Sequence, residues 1–162
     1  MTTTTIRPAV PADVPAILDL ICGLARYEKL EHRVEVSEAD LAAALFDGPA
    51  PRVFCDLAEA DGRTAGFALW FYSFSTFVGR HGIYLEDLFV EPEFRGRGVG
   101  KALIRNLAVR CLDEGLGRFE WSVLDWNEPA IQFYRAQGAR LLDDWTICRV
   151  EGEALRALGA NG

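Results

Sequence analysis

Hydrophobic and polar positions along the chain alternate with two periods, and the changes of period predict its elements. Apolar residues recur at helical spacing after Asp13, which we expect to cap the first helix, and again from Val99 onward. The pair Ser37 and Asp40 predicts a capped second helix through Phe46. Short β-prone runs between turn residues predict strands at 4–7, 52–58, 64–72, 84–90 and 119–123 and a final strand region at 139–142 and 145–150, while two later helices are predicted at 130–137 and 153–158. This order predicts a mixed α/β sheet with helices on its faces.

The stretch from Tyr84 to Lys101 joins a strand to the glycine-rich start of a helix. Glycines at 96, 98 and 100 expose backbone N–H groups, and the helix start adds the positive end of its dipole. Such a joint suits a pyrophosphate. A P-loop would have glycine where Arg95 stands and Ser or Thr where Ala102 stands, and the Rossmann fingerprint fails in both registers. The alternative is an ordinary tight turn, but basic and glycine residues crowded before a clean helix favour anion binding.

Length and charge restrict the class of protein further. The 162 residues predict one domain, 1–162, with a sizeable core. A net charge of -7 argues against nucleic acid or an anionic membrane as partner and suits a cationic substrate. No apolar run approaches the ~20 residues of a spanning helix, and the N-terminus lacks the pattern of a signal peptide. The four cysteines have neither metal-site nor redox-motif spacing, so we expect no metal and reduced thiols in the cytoplasm.

Several separated motifs resemble those of the GNAT N-acetyltransferases. The first are R-G-R-G-V-G and W-N-E-P-A-I-Q-F-Y-R-A-Q-G. The segments I-R-P-A, A-R-Y-E-K-L, Y-L-E-D-L-F-V and L-D-W-N-E-P are similar to the diamine (spermidine/spermine) acetyltransferases, and F-S-T-F-V-G-R and G-E-A-L-R-A-L to their thialysine N-ε-acetylating branch. The resemblance implies a GNAT fold, with a mostly antiparallel central sheet that contains a splayed parallel pair. It also implies acetyl-CoA as cosubstrate, a small-molecule amine as acceptor and a homodimer.

Acetyl transfer to a primary amine requires a proton acceptor, because an amine of pKa ~10.4 is almost fully protonated at neutral pH. Glu86 is the candidate base, since it lies in an apolar strand where burial would raise its pKa. Strand alternation should turn Glu86 and Asp87 to opposite faces, and Asp87 is either a ligand-facing or a structural carboxylate. The resemblance makes Tyr134 the general acid for the departing thiolate.

The remaining site residues are implied by the resemblance alone. Cofactor contacts carry over to Leu88, Phe89, Val90, Arg95, Gly96, Arg97, Gly98, Val99, Gly100, Lys101, Asn127, Glu128, Pro129, Ala130 and Tyr134. Acceptor contacts carry over to Tyr27, Glu28, Glu86, Asp87, Glu120, Ser122 and Asp144. Ser75 stands where polyamine-acetylating members carry an aspartate, and Phe77 where a tryptophan is usual, which favours a shorter diamine or an amino acid with a side-chain amine. A peptide N-terminus or an antibiotic as acceptor, or a non-catalytic acyl-CoA sensor on the same fold, are the alternatives.

Overall fold

The computed structural model describes residues 3–160 and confirms the alternation of strands and helices over most of the chain. The strands are β1 (Thr5–Pro8), β2 (Phe54–Ala60), β3 (Arg63–Ser75), β4 (Arg80–Val90) and β5 (Phe119–Trp121). The helices are α1 (Val14–Glu28), α2 (Glu38–Phe46), α3 (Val99–Asp113), α4 (Glu128–Ala136) and α5 (Gly152–Ala160). The chain divides after Val123 into two compact units, of which the first carries β1 to β5 with α1 to α3 and the second carries α4 and α5.

The strands of residues 3–160 form one five-stranded sheet in the order β1-β2-β3-β4-β5. Neighbours are antiparallel except β4 and β5, which run parallel and pair from Ile83 opposite Phe119 to Leu85 opposite Trp121. Strand β4 then continues to Val90 beyond the end of β5. The mostly antiparallel sheet with a parallel pair is therefore confirmed, and the pair separates after Leu85.

Helices cover both faces of this sheet. On one face, apolar residues of α1 and α2 pack against inward residues of β2, β3 and β4, in a cluster that includes Val14, Ile17, Leu20, Leu41, Leu45, Leu57, Phe67, Leu69 and Phe89. Strand β3 is buried continuously from Ala65 to Trp70, as expected for a central strand. Helix α3 buries Val99, Leu103 and Leu107 and contacts β2, β3 and β4. No helix in this described part of the chain is long and apolar enough to cross a membrane.

A buried carboxylate helps to fix α3 on the sheet. Asp56 of β2 is only 4% exposed, and its Oδ2 accepts a 2.9 Å hydrogen bond from Trp70 Nε1. Arg110 of α3 lies over the Trp70 ring, 5.1 Å from its centroid. Burial raises the pKa of Asp56, while the Trp70 hydrogen bond and the charge of Arg110 act in the opposite direction. The Asp56 carboxylate of β2 and the Trp70 ring of β3 thus help to position Arg110 of α3 on the sheet.

The two predicted helix caps have different outcomes. Ser37 and Asp40 form the expected capping box, with Asp40 N donating to Ser37 Oγ at 3.2 Å and Ser37 N to Asp40 Oδ2 at 2.9 Å. Asp13 occupies the N-cap position of α1, as predicted, but its side chain makes no capping hydrogen bond to that helix. Its carboxylate instead accepts from Val10 N at 2.8 Å and pairs with Arg7 at 2.7 Å, so it closes the short 3-10 turn before the helix.

The strand predictions need two corrections. The predicted strands at 64–72 and 84–90 are too short. Strand β3 extends to Ser75 and β4 begins at Arg80, and Val78 N donates to Ser75 Oγ at the turn between them. The final strand region at 139–142 and 145–150 is wrong, because the described chain is irregular there and Trp145 and Ile147 are 76% and 73% exposed. A β-prone run becomes a strand only where a sheet edge supplies its backbone partners.

Candidate active site

Strand β4 contains a bulge at Glu86. Leu69 of β3 pairs with Asp87 and the next residue, Trp70, pairs with Leu85, so Glu86 is an extra residue in the described register. Consecutive residues of β3 face opposite sides of the sheet, and paired residues share a side. Leu85 and Asp87 therefore face opposite sides, although regular alternation would put them on the same one. The bulge turns Asp87 to the side of α1, the side that Leu69 and Phe89 also face.

The bulge also reverses the expected burial of the two carboxylates. Glu86 is exposed, so the prediction that Glu86 is buried is wrong. Asp87 is half-buried, and burial, with the nearby charges of Glu86 and Glu28, raises its pKa to about 6. Burial likewise raises the pKa of Glu28 at the end of α1. Glu28 and Glu86, which the sequence separates by almost sixty positions, thus both act on Asp87 at this end of β4.

The close approach of α1 to β4 is what brings Glu28 to this place. A Cβ built on Gly23 would lie 2.8 Å from Cε1 of the Phe89 ring, so only a residue without a side chain fits there. Helix α1 ends one turn later, where Lys29 adopts the left-handed conformation with φ 60°. Its last two residues, Tyr27 and Glu28, are both predicted acceptor contacts. The prediction that they belong to one site with Asp87 is consistent with this packing.

The loop after β4 exposes its backbone at the start of α3. A 3-10 turn spans Pro92–Phe94, and Gly98 then occupies the N-cap of α3 with φ 83°. Any other L-residue would be strained at that angle. The first N–H groups of the helix, from Val99 to Lys101, have no carbonyl partner within the helix, and the dipole makes this end positive. These donors fit the pyrophosphate cradle that the sequence predicts.

The two arginines of the loop contact protein groups that the sequence did not predict. Arg95 Nε donates to the carbonyl oxygen of Val90 at 2.9 Å. Its guanidinium carbon lies 5.1 Å from the centroid of the Tyr27 ring and 5.3 Å from that of Phe89. Arg97 Nη2 pairs with Asp61 Oδ2 at 2.6 Å. The resemblance implied cofactor contacts for both arginines, and only the packing of distant segments could reveal these partners.

The end of β4 has one side free of its parallel neighbour. Leu88, Phe89 and Val90 pair with β3 through Ala68, Phe67 and Gly66. On the other side, the described pairing with β5 ends at Leu85. Phe89 is buried in the core, while Leu88 and Val90 are half-buried. This edge offers backbone groups to an extended ligand, although the Val90 carbonyl oxygen already accepts the hydrogen bond from Arg95 Nε.

The predicted acceptor residues near β5 have protein partners. Glu120 pairs with Arg118 Nε at 2.6 Å. Ser122 Oγ lies 2.9 Å from the hydroxyl of Tyr84 on the neighbouring strand. Sequence analysis did not select Tyr84, whose ring also stacks on Phe71. Its position two residues before Glu86 was the available signal, but only the parallel pairing shows that it meets Ser122.

The second unit carries the predicted residues that follow Val123. Asn127 is buried and caps α4, with Ala130 N donating to its Oδ1 at 3.4 Å. Glu128, Pro129 and Ala130 are the first residues of that helix, which confirms a helix in this region, although it begins at Glu128. Tyr134 lies two turns after Asn127 and is half-buried. Asp144 is exposed in the irregular segment after α4.

Comparison with known proteins identifies the family. The sequence matches the acetyltransferase (GNAT) family over residues 16–139. The chain belongs to the GNAT acetyltransferase family. It is 43% identical to a thialysine N-ε-acetyltransferase of Bos taurus, over 94% of this chain and 95% of that protein. It is 32% identical to an L-ornithine N5-acetyltransferase of Arabidopsis thaliana, over 94% of this chain and 86% of that protein.

A solved structure supports the fold independently. An integron cassette protein from the mobile metagenome of V. cholerae superposes with a TM-score of 0.80 at 26% identity, over 98% of both chains. The GNAT fold predicted from the motifs is thus confirmed, with its mixed five-stranded sheet and flanking helices. The protein is a GNAT N-acetyltransferase, an enzyme that transfers an acetyl group to an amine.

Proposed function

We propose that this enzyme transfers acetyl from acetyl-CoA to the side-chain primary amine of a small cationic acceptor, either a thialysine-like amino acid or a short diamine. The observation that carries the proposal is the group of three carboxylates, Glu28, Glu86 and Asp87, around the bulge of β4. A primary amine arrives as an ammonium ion, which these carboxylates attract. Burial is the larger cause of the raised pKa of Asp87, and binding the cation would relieve the second cause, the repulsion from Glu86 and Glu28.

The turn between β3 and β4 favours a short acceptor, because Ser75 and Phe77 carry no carboxylate. Ser75 is 5% exposed and its Oγ accepts a hydrogen bond from Val78 N, so it closes the turn. Phe77 is fully exposed. Neither residue supplies a second carboxylate for the far amine of a long polyamine. The activities named for the bovine and Arabidopsis relatives, on thialysine and L-ornithine, support an amino acid with a side-chain amine.

The chain's donors fit acetyl-CoA. We infer that the free edge of β4 at Leu88 and Val90 pairs with the pantetheine arm, and that the backbone of 96–101 binds the pyrophosphate. For the segment from Asn127 to Ala130, a cofactor contact rests on the family resemblance alone. The match of the family over residues 16–139 runs across the boundary at Val123, which supports one catalytic domain over 1–162.

The chemistry we propose is direct transfer. Asp87 and Glu28 hold the ammonium, and Glu86 accepts the proton that it loses, directly or through water. The free amine then attacks the acetyl carbonyl, so that a C–N bond forms as the C–S bond breaks. Tyr134 donates its hydroxyl proton to the departing sulfur, and the second proton that the nitrogen loses as the amide forms returns to the Tyr134 phenolate through water. The exposed position of Glu86 suits this role, because a base must return its proton to solvent after each turnover.

The compartment and the metal requirement remain expectations with separate support. The four cysteines, Cys22, Cys55, Cys111 and Cys148, are free thiols, which is typical of a reducing compartment such as the cytoplasm. The proton transfers described above use carboxylate and hydroxyl groups of the chain, so the proposed reaction requires no metal.

The test is the release of CoA thiol from acetyl-CoA across a panel of amines. The panel contains thialysine, ornithine, lysine, short diamines, spermidine, spermine, a peptide N-terminus and an aminoglycoside. We expect the highest kcat/KM with thialysine or another amino acid with a side-chain amine, and lower values as a polyamine lengthens. Preference for the peptide or the aminoglycoside would show that the acceptor class is wrong. Binding of acetyl-CoA without thiol release for any amine would favour the sensor.

The carboxylate group has its own test with a matched control. Asp87→Asn and Glu28→Gln should raise the KM for the cationic acceptor, each by about ten-fold or more, because each removes a charge that faces the ammonium. Asp113→Asn, at the far end of α3, removes an exposed carboxylate and should leave that KM unchanged. If Asp87→Asn and Glu28→Gln kept the KM of the parent enzyme, as the control should, the carboxylates of β4 and α1 would not bind the acceptor.

A further inference from the structure

Arg95 joins three segments of the chain that are distant in sequence. Its Nε donates to Val90 O at the last residue of β4, and its guanidinium lies over the rings of Tyr27 on α1 and Phe89 on β4. Gly96 of the predicted pyrophosphate loop follows it directly. On the other side, Tyr27 immediately precedes Glu28 of the carboxylate group. A single planar side chain therefore contacts the predicted cofactor side and the predicted acceptor side of the site.

The geometry differs from that of an arginine held ready for a phosphate. One nitrogen is engaged with a backbone carbonyl of β4, and the guanidinium carbon lies over two aromatic rings, 5.1 and 5.3 Å from their centroids. Arginine suits this arrangement because it stacks and donates in fixed directions. Lysine carries the same charge and can serve a phosphate as a point charge, but it cannot reproduce the planar contacts. Replacement by lysine thus distinguishes the two roles.

We propose that Arg95 is a positioning residue that couples cofactor binding to acceptor binding. The inference rests on the proposed function. When a cofactor orders the loop at 96–101, Arg95 holds the end of β4 and the ring of Tyr27, and so keeps Glu28 placed for the amine. Coupling between two ligands is reciprocal, so the acceptor must tighten cofactor binding by the same factor. The charge that Arg95 offers to phosphate is secondary to these contacts.

The experiment measures the affinity for CoA by calorimetry, with and without saturating thialysine, because this pair of ligands does not react. In the parent we expect thialysine to tighten CoA binding by about five-fold or more. Arg95→Lys and Tyr27→Leu should each reduce this factor toward one, a loss of about two- to five-fold, which lies within the range for a ring–cation contact. The double variant should lose no more than either single one, because both remove the same contact.

Two variants serve as controls. Tyr27→Phe keeps the ring, so the coupling factor should survive the loss of the hydroxyl. Arg63 also lies over a ring, that of Phe94, and pairs with Glu93 in the exposed turn before the loop. Arg63→Lys therefore removes a similar contact outside the proposed coupling route and should keep the parent's factor. Melting temperatures of all variants show whether they fold. If Arg95→Lys does not fold, Tyr27→Leu still tests the inference.

Three results would overturn the inference. A parent factor of one would show that the two ligands are not coupled. Full coupling in Arg95→Lys, or equal weakening of CoA binding with and without thialysine, would leave Arg95 as a phosphate contact only. These results leave acetyl transfer itself intact. A parent that binds no CoA at all would instead remove the proposed function together with the coupling.

Discussion

Asp87 shows how one extra residue in a strand changes the chemistry of its neighbours. Had β4 been regular, Asp87 would have shared the side of Leu85, which is buried against α3. The bulge at Glu86 turns it toward α1, where it meets the negative charges of Glu86 and Glu28. Ionised Asp87 is therefore unfavourable in the free enzyme, and we expect the same three carboxylates to form a binding site for a cation.

This cost can be measured as a pH-dependent stability. The pKa of Asp87 is raised from 3.8 to about 6, so the folded state binds the proton more tightly than the unfolded state. The penalty is therefore present above pH 6 and disappears as the pH falls below about 4. Asp87→Asn should increase the free energy of unfolding at pH 7.5 by up to about 3 kcal/mol, from two pKa units at ~1.36 kcal/mol each. The gain should vanish at pH 4, as urea unfolding at both pH values can check.

The control for this stability measurement is Asp113→Asn, which changes an exposed carboxylate at the end of α3. Its stability should follow that of the parent at both pH values. If Asp87→Asn were less stable than the parent at every pH, the carboxylate would be making structural hydrogen bonds that outweigh its repulsion.

The proposed roles of Glu86 and Tyr134 predict different pH profiles. Glu86→Gln should lower turnover at neutral pH by roughly 10²–10⁴, the usual worth of a general base. The deficit should shrink as the pH rises toward the pKa of the amine, because the acceptor then arrives deprotonated. Tyr134→Phe removes only the donor to the thiolate, so high pH should not restore its activity.

The measurement is kcat/KM against pH for the parent and both variants, with thialysine and one short diamine. Near-parent activity of Glu86→Gln at pH 7 would place the base elsewhere. An equal, pH-independent loss in both variants would mean that these residues position the substrates and transfer no proton.

At the scale of elements, the end of β4 depends on a glycine in β3. Gly66 pairs with Val90, and a Cβ at Gly66 would lie 2.5 Å from the carbonyl oxygen of Phe89. That atom belongs to the backbone, so it cannot turn away as a side chain could. The free edge that we propose for the pantetheine arm is thus held at its distance from β3 by the absence of one methyl group.

Gly66→Ala should therefore lower both stability and cofactor affinity. We expect a loss of about 1–3 kcal/mol in the free energy of unfolding, the usual effect of overpacking, together with weaker binding of acetyl-CoA. Urea unfolding and calorimetry measure the two quantities. Gly159→Ala in α5 is the matched control, since nothing lies within 4 Å of its Cβ position and alanine favours a helix. Parent-like stability of Gly66→Ala would show that the two strands separate easily.

At the scale of the whole molecule, the C-terminal part leaves large apolar side chains exposed. They are Leu142, Trp145, Ile147, Val150, Leu155 and Leu158. Exposed apolar side chains gathered in one part of a chain are typical of an interaction surface. They support the homodimer that the resemblance implies.

A homodimer predicts about twice the chain mass of 18.0 kDa by light scattering at micromolar concentration. The double variant Trp145→Ser with Leu155→Ser should shift the mass toward that of one chain, because it removes apolar contact area. Leu112→Ser, on α3, changes an even more exposed leucine elsewhere and should leave the mass unchanged. A monomeric parent would contradict the prediction.

Sequence by itself determined those features that short stretches of chain can encode. The buried run of β3, the glycine-rich loop, the start of α3 and the capping box at Ser37 all follow from local periodicity and local hydrogen bonds. The motifs of the loop and of α4 were enough to identify the family, because they keep their order and spacing. Element boundaries were less accurate, since β3 and β4 extend as far as their partner does.

Tertiary structure decided whatever depends on a partner from a distant segment. The bulge at Glu86 exists only in the register between β4 and β3, and it decides that Asp87, not Glu86, is desolvated. Arg95 finds its carbonyl and its rings only when α1 packs against β4, and the β-prone run at 145–150 has no strand partner within the described chain. A pKa depends on burial and on neighbouring charges, and a strand depends on a neighbouring edge. Neither the pKa of a side chain nor the formation of a strand is therefore fixed by the local sequence alone.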